Sequence, residues 1–194
     1  MNAPESLPIS LLRQWAYCPR IPFFRESLGI APTMPKWVVQ GTQFDDLQHV
    51  MSRDRRFAGI AVGAYRPQRR VSLRDAIRGL HGVADMVLLG PRDFFICDYK
   101  LHAARIERGT RLQLAGYAIL AQSHYGLPCA GLIVLTGKPV RILRAEWNAE
   151  LQGELDRAIA ALFESVSGGS MPASDAPPSK CGICEYLNYC NDRE

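Results

Sequence analysis

The chain has 194 residues, 47% of them apolar and 22% charged, with a net charge of +4. That is the composition of one soluble domain, and it excludes a disordered chain or a collagen-like repeat. The longest apolar stretches, Ala130–Leu135 and Leu114–Ala121, fall far short of the roughly 18 residues a membrane-spanning helix needs.

Met1–Pro8 shows no basic segment followed by an apolar one, so a cytoplasmic protein is expected. In a reducing compartment six cysteines point to metal binding rather than to disulfides. The charge is unevenly spread: residues 1–145 carry 20 Lys/Arg against 10 Asp/Glu, and residues 146–194 carry 3 against 9. Eight arginines lie between Arg53 and Arg78. A field of that sign suits a polyanion such as nucleic acid, although a solvated basic face would look the same.

In chain order, Ser10 is placed to cap a short helix through Leu11, Leu12 and Trp15, which Cys18-Pro19 ends. Pro22, Pro32 and Pro35 predict an irregular stretch after it, and Val39–Met51 a second helix. Strands are predicted over Ile60–Tyr65, Arg70–Leu73, His81–Leu89 and Phe94–Lys100, punctuated by Gly and Pro. Gly90–Asp93 makes the hairpin between the last two. Arg108–Tyr125 has helical spacing at Leu112, Ala115, Ile119 and Gln122. Ala130–Thr136 is a buried strand, Val140–Leu143 its candidate partner, and Glu146–Val166 a long helix. Ser167–Ser179 is a Gly/Ser/Pro loop with no evident means of ordering itself. The order describes an α/β (α+β) fold, a mixed sheet flanked by helices.

The tail reads Cys181-Gly-Ile-Cys184, with Cys190 after five intervening residues. Two thiolates from one turn can reach one metal centre, and a fourth ligand must come from elsewhere. Cys18, in Tyr-Cys-Pro-Arg, is the best candidate, because backbone amides and Arg20 can stabilise thiolate charge there. Cys97 and Cys129 read as small buried hydrophobes. The spacing fits a four-thiolate zinc or an iron–sulfur cubane, and does not choose between them.

A second constellation lies on adjacent strands. Asp98 and Lys100 share one strand face, and a hairpin brings Asp85 beside Asp98. Two carboxylates of this kind suit Mg²⁺ or Mn²⁺, which polarises a phosphodiester while Lys100 offsets developing charge. Gln113 and Tyr117 stand one helical turn apart on the helix that follows.

Gly-x-x-Asp (Gly82, Asp85), Asp-x-Lys (Asp98, Lys100) and Gln-x3-Tyr (Gln113, Tyr117), in this order, resemble the RecB-type branch of the PD-(D/E)xK nucleases. With Cys-Pro-Arg at the start and Cys-x2-Cys-x5-Cys at the end, the chain is similar to the CRISPR-associated exonucleases, the fourth numbered family of Cas proteins. The resemblance spans Cys18 to Cys190. It implies a restriction-endonuclease-like sheet in one domain over 1–194, with 9–30 and 167–194 forming an iron–sulfur subdomain that joins the two ends.

By the same resemblance Cys18, Cys181, Cys184 and Cys190 hold a 4Fe-4S cluster, and Asp85 and Asp98 hold Mn²⁺ or Mg²⁺. Lys100 is then the catalytic lysine, with Gln113 and Tyr117 in support. The family adds a histidine ligand from an early helix. His49 is favoured over Asp45, because a third carboxylate would repel DNA. Arg53, Arg55, Arg56, Arg69 and Arg70 are expected on DNA phosphates. The implied function is trimming prespacer DNA with single-stranded overhangs, at the protospacer-adjacent motif, with the CRISPR adaptation integrase or as one half of a fusion with it. The alternatives are a RecB-type repair nuclease and a non-catalytic DNA-binding module with a structural zinc.

Overall fold

The computed structural model describes residues 5–31, 65–137, 140–174 and 176–190. The expected helix over Val39–Met51, most of the strand expected at Ile60–Tyr65, and His49, Asp45, Arg53, Arg55 and Arg56 lie outside them.

A six-stranded mixed sheet carries the described part of the chain. β1 (Leu7–Pro8) runs parallel to the start of β3 (Leu80–Leu89), through Leu7↔Leu80 and Pro8↔His81. β2 (Arg66–Asp75) pairs antiparallel along the whole of β3, from Arg66↔Leu89 to Asp75↔Leu80. On the other side, β4 (Phe94–Lys100) pairs with only the second half of β3, from Leu89↔Phe94 to Met86↔Cys97. β4 and β5 (Cys129–Thr136) are parallel, joined by α3 (Arg108–Tyr125), and β6 (Arg141–Ala145) closes the order antiparallel to β5. Strand β4 is almost wholly buried, as the apolar run Phe94–Cys97 requires in a strand flanked on both sides.

Three helices cover one face of the sheet. α1 (Ser10–Tyr17), α3 and α4 (Ala149–Ser167) bury Leu11, Leu12, Leu112, Ala115, Leu155 and Leu162 over Leu73, Ala84, Val87, Ile96, Leu132 and Val134. The opposite face carries a smaller cluster of Met86, Leu88, Cys97, Tyr99, Ile133 and Leu135. Cys97 and Cys129 are buried, as expected of small hydrophobes, and burial raises both thiol pKa values, that of Cys129 to about 11.

Three local expectations need correction. Ser10 is the first helical residue rather than the cap. Ile9 already has helical dihedrals, and its amide is satisfied by the His81 carbonyl of β3, so the chain enters the helix directly from the sheet. Pro22 does not keep its surroundings irregular: α2 (Arg20–Pro22) runs into a π-helical turn, Phe23–Ser27. Proline costs little in a first turn, where its missing N–H has no partner to lose. Strand β2 starts at Arg66 rather than Arg70, and Pro67 is accommodated near its exposed end.

The last segment folds back on the first. Phe24 stacks on Tyr186 with ring centroids 5.5 Å apart and planes at 13°. Together with Cys18, Ile21 and Phe23 they form a third, separate apolar cluster, against which Cys184 and Cys190 pack. The loop after α4 is ordered by the N-terminal segment: Arg20 Nε donates to the Pro172 carbonyl at 2.8 Å, and Cys18 Sγ lies 3.3 Å from Ser174 Oγ. Tyr17 donates at 2.8 Å to the Lys180 carbonyl in the short helix α5 (Pro178–Cys181). The loop expected to have no means of ordering itself thus takes its order from contacts with the N-terminal segment, long-range ones that local composition does not carry.

Candidate active site and cysteine end

The β3–β4 ladder stops after Met86↔Cys97. One step further, Asp85 and Asp98 would face each other as the next pair, and there the strands part. Instead of a ladder bond, the Tyr99 amide donates to Asp85 Oδ2 at 3.3 Å. Lys100 Nζ stands 2.7 Å from Asp98 Oδ2, and Asp98 is only 8% exposed. Burial, then the charge of Asp98 and a hydrogen bond with it, push the Asp85 carboxyl up to about 7; the Tyr99 amide and Lys100 offset part of this.

Two carboxylates held together in a half-dry site repel unless a proton or a cation lies between them. That is the donor set and the electrostatic demand of a divalent ion with oxygen ligands. Asp85 and Asp98 fit such an ion. Among the described residues no third carboxylate, histidine or cysteine joins them closely enough to complete a metal site.

The face of α3 that looks onto this point carries Gln113 and Tyr117. Burial raises the Tyr117 pKa, and the charges of Asp85 and Asp98 raise it further, with Gln113 and Arg13 opposing. Sequence reading missed Arg13, an exposed residue of α1 whose charge acts weakly on Tyr117. No motif signals it, because its place depends on how α1 crosses α3 at Gly109, where a Cβ would stand 3.1 Å from Arg13 Cγ. Arg69 and Arg70 lie on the exposed part of β2, and the charge of Arg69 reaches Tyr99 on the second face. Burial, opposed in part by Arg69, pushes Tyr99 up to about 12.

The glycine of Gly-x-x-Asp has a physical reason. A Cβ at Gly82 would stand 2.8 Å from Tyr117 Cε1 and 3.3 Å from its hydroxyl. Gly82→Ala is therefore expected to displace the tyrosine and slow cleavage about tenfold, at a stability cost of about 1–3 kcal/mol typical of overpacking. Because the two residues act as a unit, the double variant with Tyr117→Ala should be no slower than Tyr117→Ala alone. Additive losses would show that Gly82 acts elsewhere.

The raised Asp85 pKa has a consequence for the metal-free protein. A carboxyl whose folded-state pKa exceeds its unfolded value contributes stability that is present below the unfolded pKa, about 4, and lost as pH rises through the folded one. Metal-free wild type should thus lose melting temperature relative to Asp85→Asn between about pH 4 and pH 7, by several degrees in a chain of this size. Mn²⁺ should restore it at the upper end. Parallel melting curves for the two proteins across that range would remove Asp85 as the source.

At the other end of the molecule, Cys18 and Cys184 share one cluster with Cys190. Neighbouring thiols Cys18 and Cys181 add to burial in raising the Cys184 pKa, and Tyr17 feels all three of these sulfurs. Arg20, 8% exposed, donates from Nη1 to Cys190 Sγ at 3.2 Å. Arg20, expected to serve the thiolate of Cys18, also reaches the last cysteine from α2. All four expected cysteines thus meet at one end, drawn from chain positions more than 160 residues apart. Among the described residues they do not converge tightly enough for a single metal ion. A cubane presents four irons to four thiolates and asks for a wider spread than one ion does.

Comparison with known proteins adds a family. The model of the PD-(D/E)XK nuclease superfamily matches residues 33–191. The chain is 31% identical over 188 residues to CRISPR-associated exonuclease Cas4 of Francisella tularensis subsp. novicida (strain U112), covering 97% of this chain and 95% of that one. It is 24% identical over 192 residues to the protein of the same name from Aeropyrum pernix, covering 94% of each. A solved structure from Eubacterium rectale, assigned as an exonuclease, shares the fold at a TM-score of 0.62 and 12% identity. It covers 95% of this chain and 88% of that one. Among the described residues no helix is long and apolar enough to cross a membrane.

Proposed function

The chain belongs to the PD-(D/E)XK nuclease superfamily and, within it, to the CRISPR-associated exonuclease Cas4 family, and from that premise we propose that it trims the ends of prespacer DNA at the protospacer-adjacent motif during CRISPR spacer acquisition. It is a metal-dependent DNA nuclease. The observation that carries the site assignment is the parting of β3 from β4 at Asp85 and Asp98, with Lys100 ion-paired to Asp98.

Asp85 and Asp98 hold the divalent ion, with His49 as the proposed third ligand. When bound, the ion polarises the scissile phosphate and lowers the pKa of attacking water. Lys100 gives its positive charge to the phosphoryl oxygens as negative charge builds on them. Gln113 and Tyr117, one turn apart on α3 with Tyr117 packed against Gly82 of β3, orient the DNA end beside the carboxylates. Arg53, Arg55, Arg56, Arg69 and Arg70 bind phosphates along the strand, which makes binding steeply salt-dependent and nearly sequence-independent.

Cys18, Cys181, Cys184 and Cys190 are proposed to hold a 4Fe-4S cluster. The buried Arg20 guanidinium against Cys190 supports this, since a metal-bound sulfur carries negative charge and gains from such a neighbour. The adaptation integrase is the proposed partner.

The test is cleavage of duplex DNA with 3′ overhangs, with and without Mn²⁺ and the integrase, by protein purified without oxygen. Trimming that stops at the motif only when the integrase is present supports the full reading. Cleavage unaffected by integrase or motif would leave a nuclease of DNA repair. A colourless preparation with bound zinc would replace the cluster with a structural zinc.

A further inference from the structure

Arg70 has φ 49°, the sole non-glycine with positive φ among the described residues. It lies in the middle of β2, where left-handed backbone is unusual for any residue with a Cβ. The ladder pairs Arg69 with Met86 and Val71 with Ala84, so Arg70 stands opposite Asp85, yet these two do not pair. No residue is inserted in either strand, because the register is the same on both sides.

What changes at this point is the face. On β3, Leu80 and Ala84 belong to the core beneath α3, and strict alternation would put Met86 and Leu88 there too. Met86 and Leu88 belong instead to the opposite cluster, and Val87 returns to the core. On β2, Leu73 and Val71 pack on the α3 side. Gln68, of the other parity, is also on that side, accepting from the Tyr125 hydroxyl of α3 at 2.6 Å. Both strands turn over together, at Arg70 and Asp85.

The consequence reaches the site. Asp98 follows Phe94 and Ile96 on the α3 face of β4. For Asp85 to meet Asp98 and Tyr117 it must look to that same face, which Ala84 already uses. In a regular strand two successive residues cannot both do so. The turnover at Arg70 lets Ala84 pack under α3 and its neighbour Asp85 face the other carboxylate.

We infer that Arg70 is a positioning residue whose left-handed backbone aims Asp85 at the metal site, a role separate from any contact of its side chain with DNA. The inference rests on the reading of Asp85 and Asp98 as the metal-binding pair.

The test compares variants that all lack the guanidinium and differ in how well they accept positive φ: Arg70→Gly, Arg70→Asn, Arg70→Ala and Arg70→Val. The readout is Mn²⁺ affinity by calorimetry on the full chain without DNA, so lost phosphate contacts do not enter. The Gly and Asn variants should keep the wild-type dissociation constant within about twofold, and the Val variant should weaken it tenfold or more, with Ala between. If Val does not fold, the order of the other three decides. Equal affinities across the series would overturn the inference while leaving the nuclease reading intact. A wild type that binds no Mn²⁺ would overturn both.

Discussion

Lys100→Ala should slow Mn²⁺-dependent cleavage by about a thousandfold, the scale on which a single preorganised charge at a developing oxyanion acts, while Mn²⁺ still binds. Lys100 is the cation in contact with Asp98, at 2.7 Å, and it is three-quarters covered at its side chain. Its charge therefore works where water screens little. Removing it leaves Asp85 and Asp98 in place, so the metal affinity of the DNA-free protein should fall far less than the rate. Single-turnover cleavage and calorimetry on the same preparations separate the two. If rate and affinity fall together, Lys100 holds the carboxylates in place rather than meeting the phosphate.

Tyr186→Ala should release the cysteine end from the nuclease core. The ring is 1% exposed and stacked on Phe24, and truncating a buried aromatic side chain costs about 3–5 kcal/mol. The loss falls on a small cluster of its own. Tyr17 still reaches the Lys180 carbonyl and Arg20 the Pro172 carbonyl, but these bonds span the loop without its apolar filling. Trypsin should then cut at Lys180 at least tenfold faster than in the wild type, before the sheet is touched. With the proposed cluster in place, iron content should fall in the same samples. Unchanged cleavage at Lys180 would mean that the hydrogen bonds alone hold the tail.

The boundaries of α3 and β4 follow from sequence to the residue, since periodicity and the flanking Gly-Pro and Gly signals agree there. The meeting of Asp85 with Asp98 was legible for the same reason: a four-residue hairpin connection sets the register, and register sets the pair. β1 was not legible, because two residues make a strand only by borrowing the edge of β3. Nor was the turnover at Arg70, which no turn residue announces. The choice between His49 and Asp45 is a matter of which side chain a helix points inward, and both residues lie outside the described part of the chain.

Phe24 and Tyr186 also impose an order in time. The N-terminal half of their stack is synthesised long before its partner, with strands β2 to β6 made in between. Until Tyr186 emerges, Ile21, Phe23 and Phe24 lack the ring that completes their cluster, and the nascent protein carries an adhesive patch there. A shortened product that stops before Tyr186 would keep Asp85, Asp98 and this patch together.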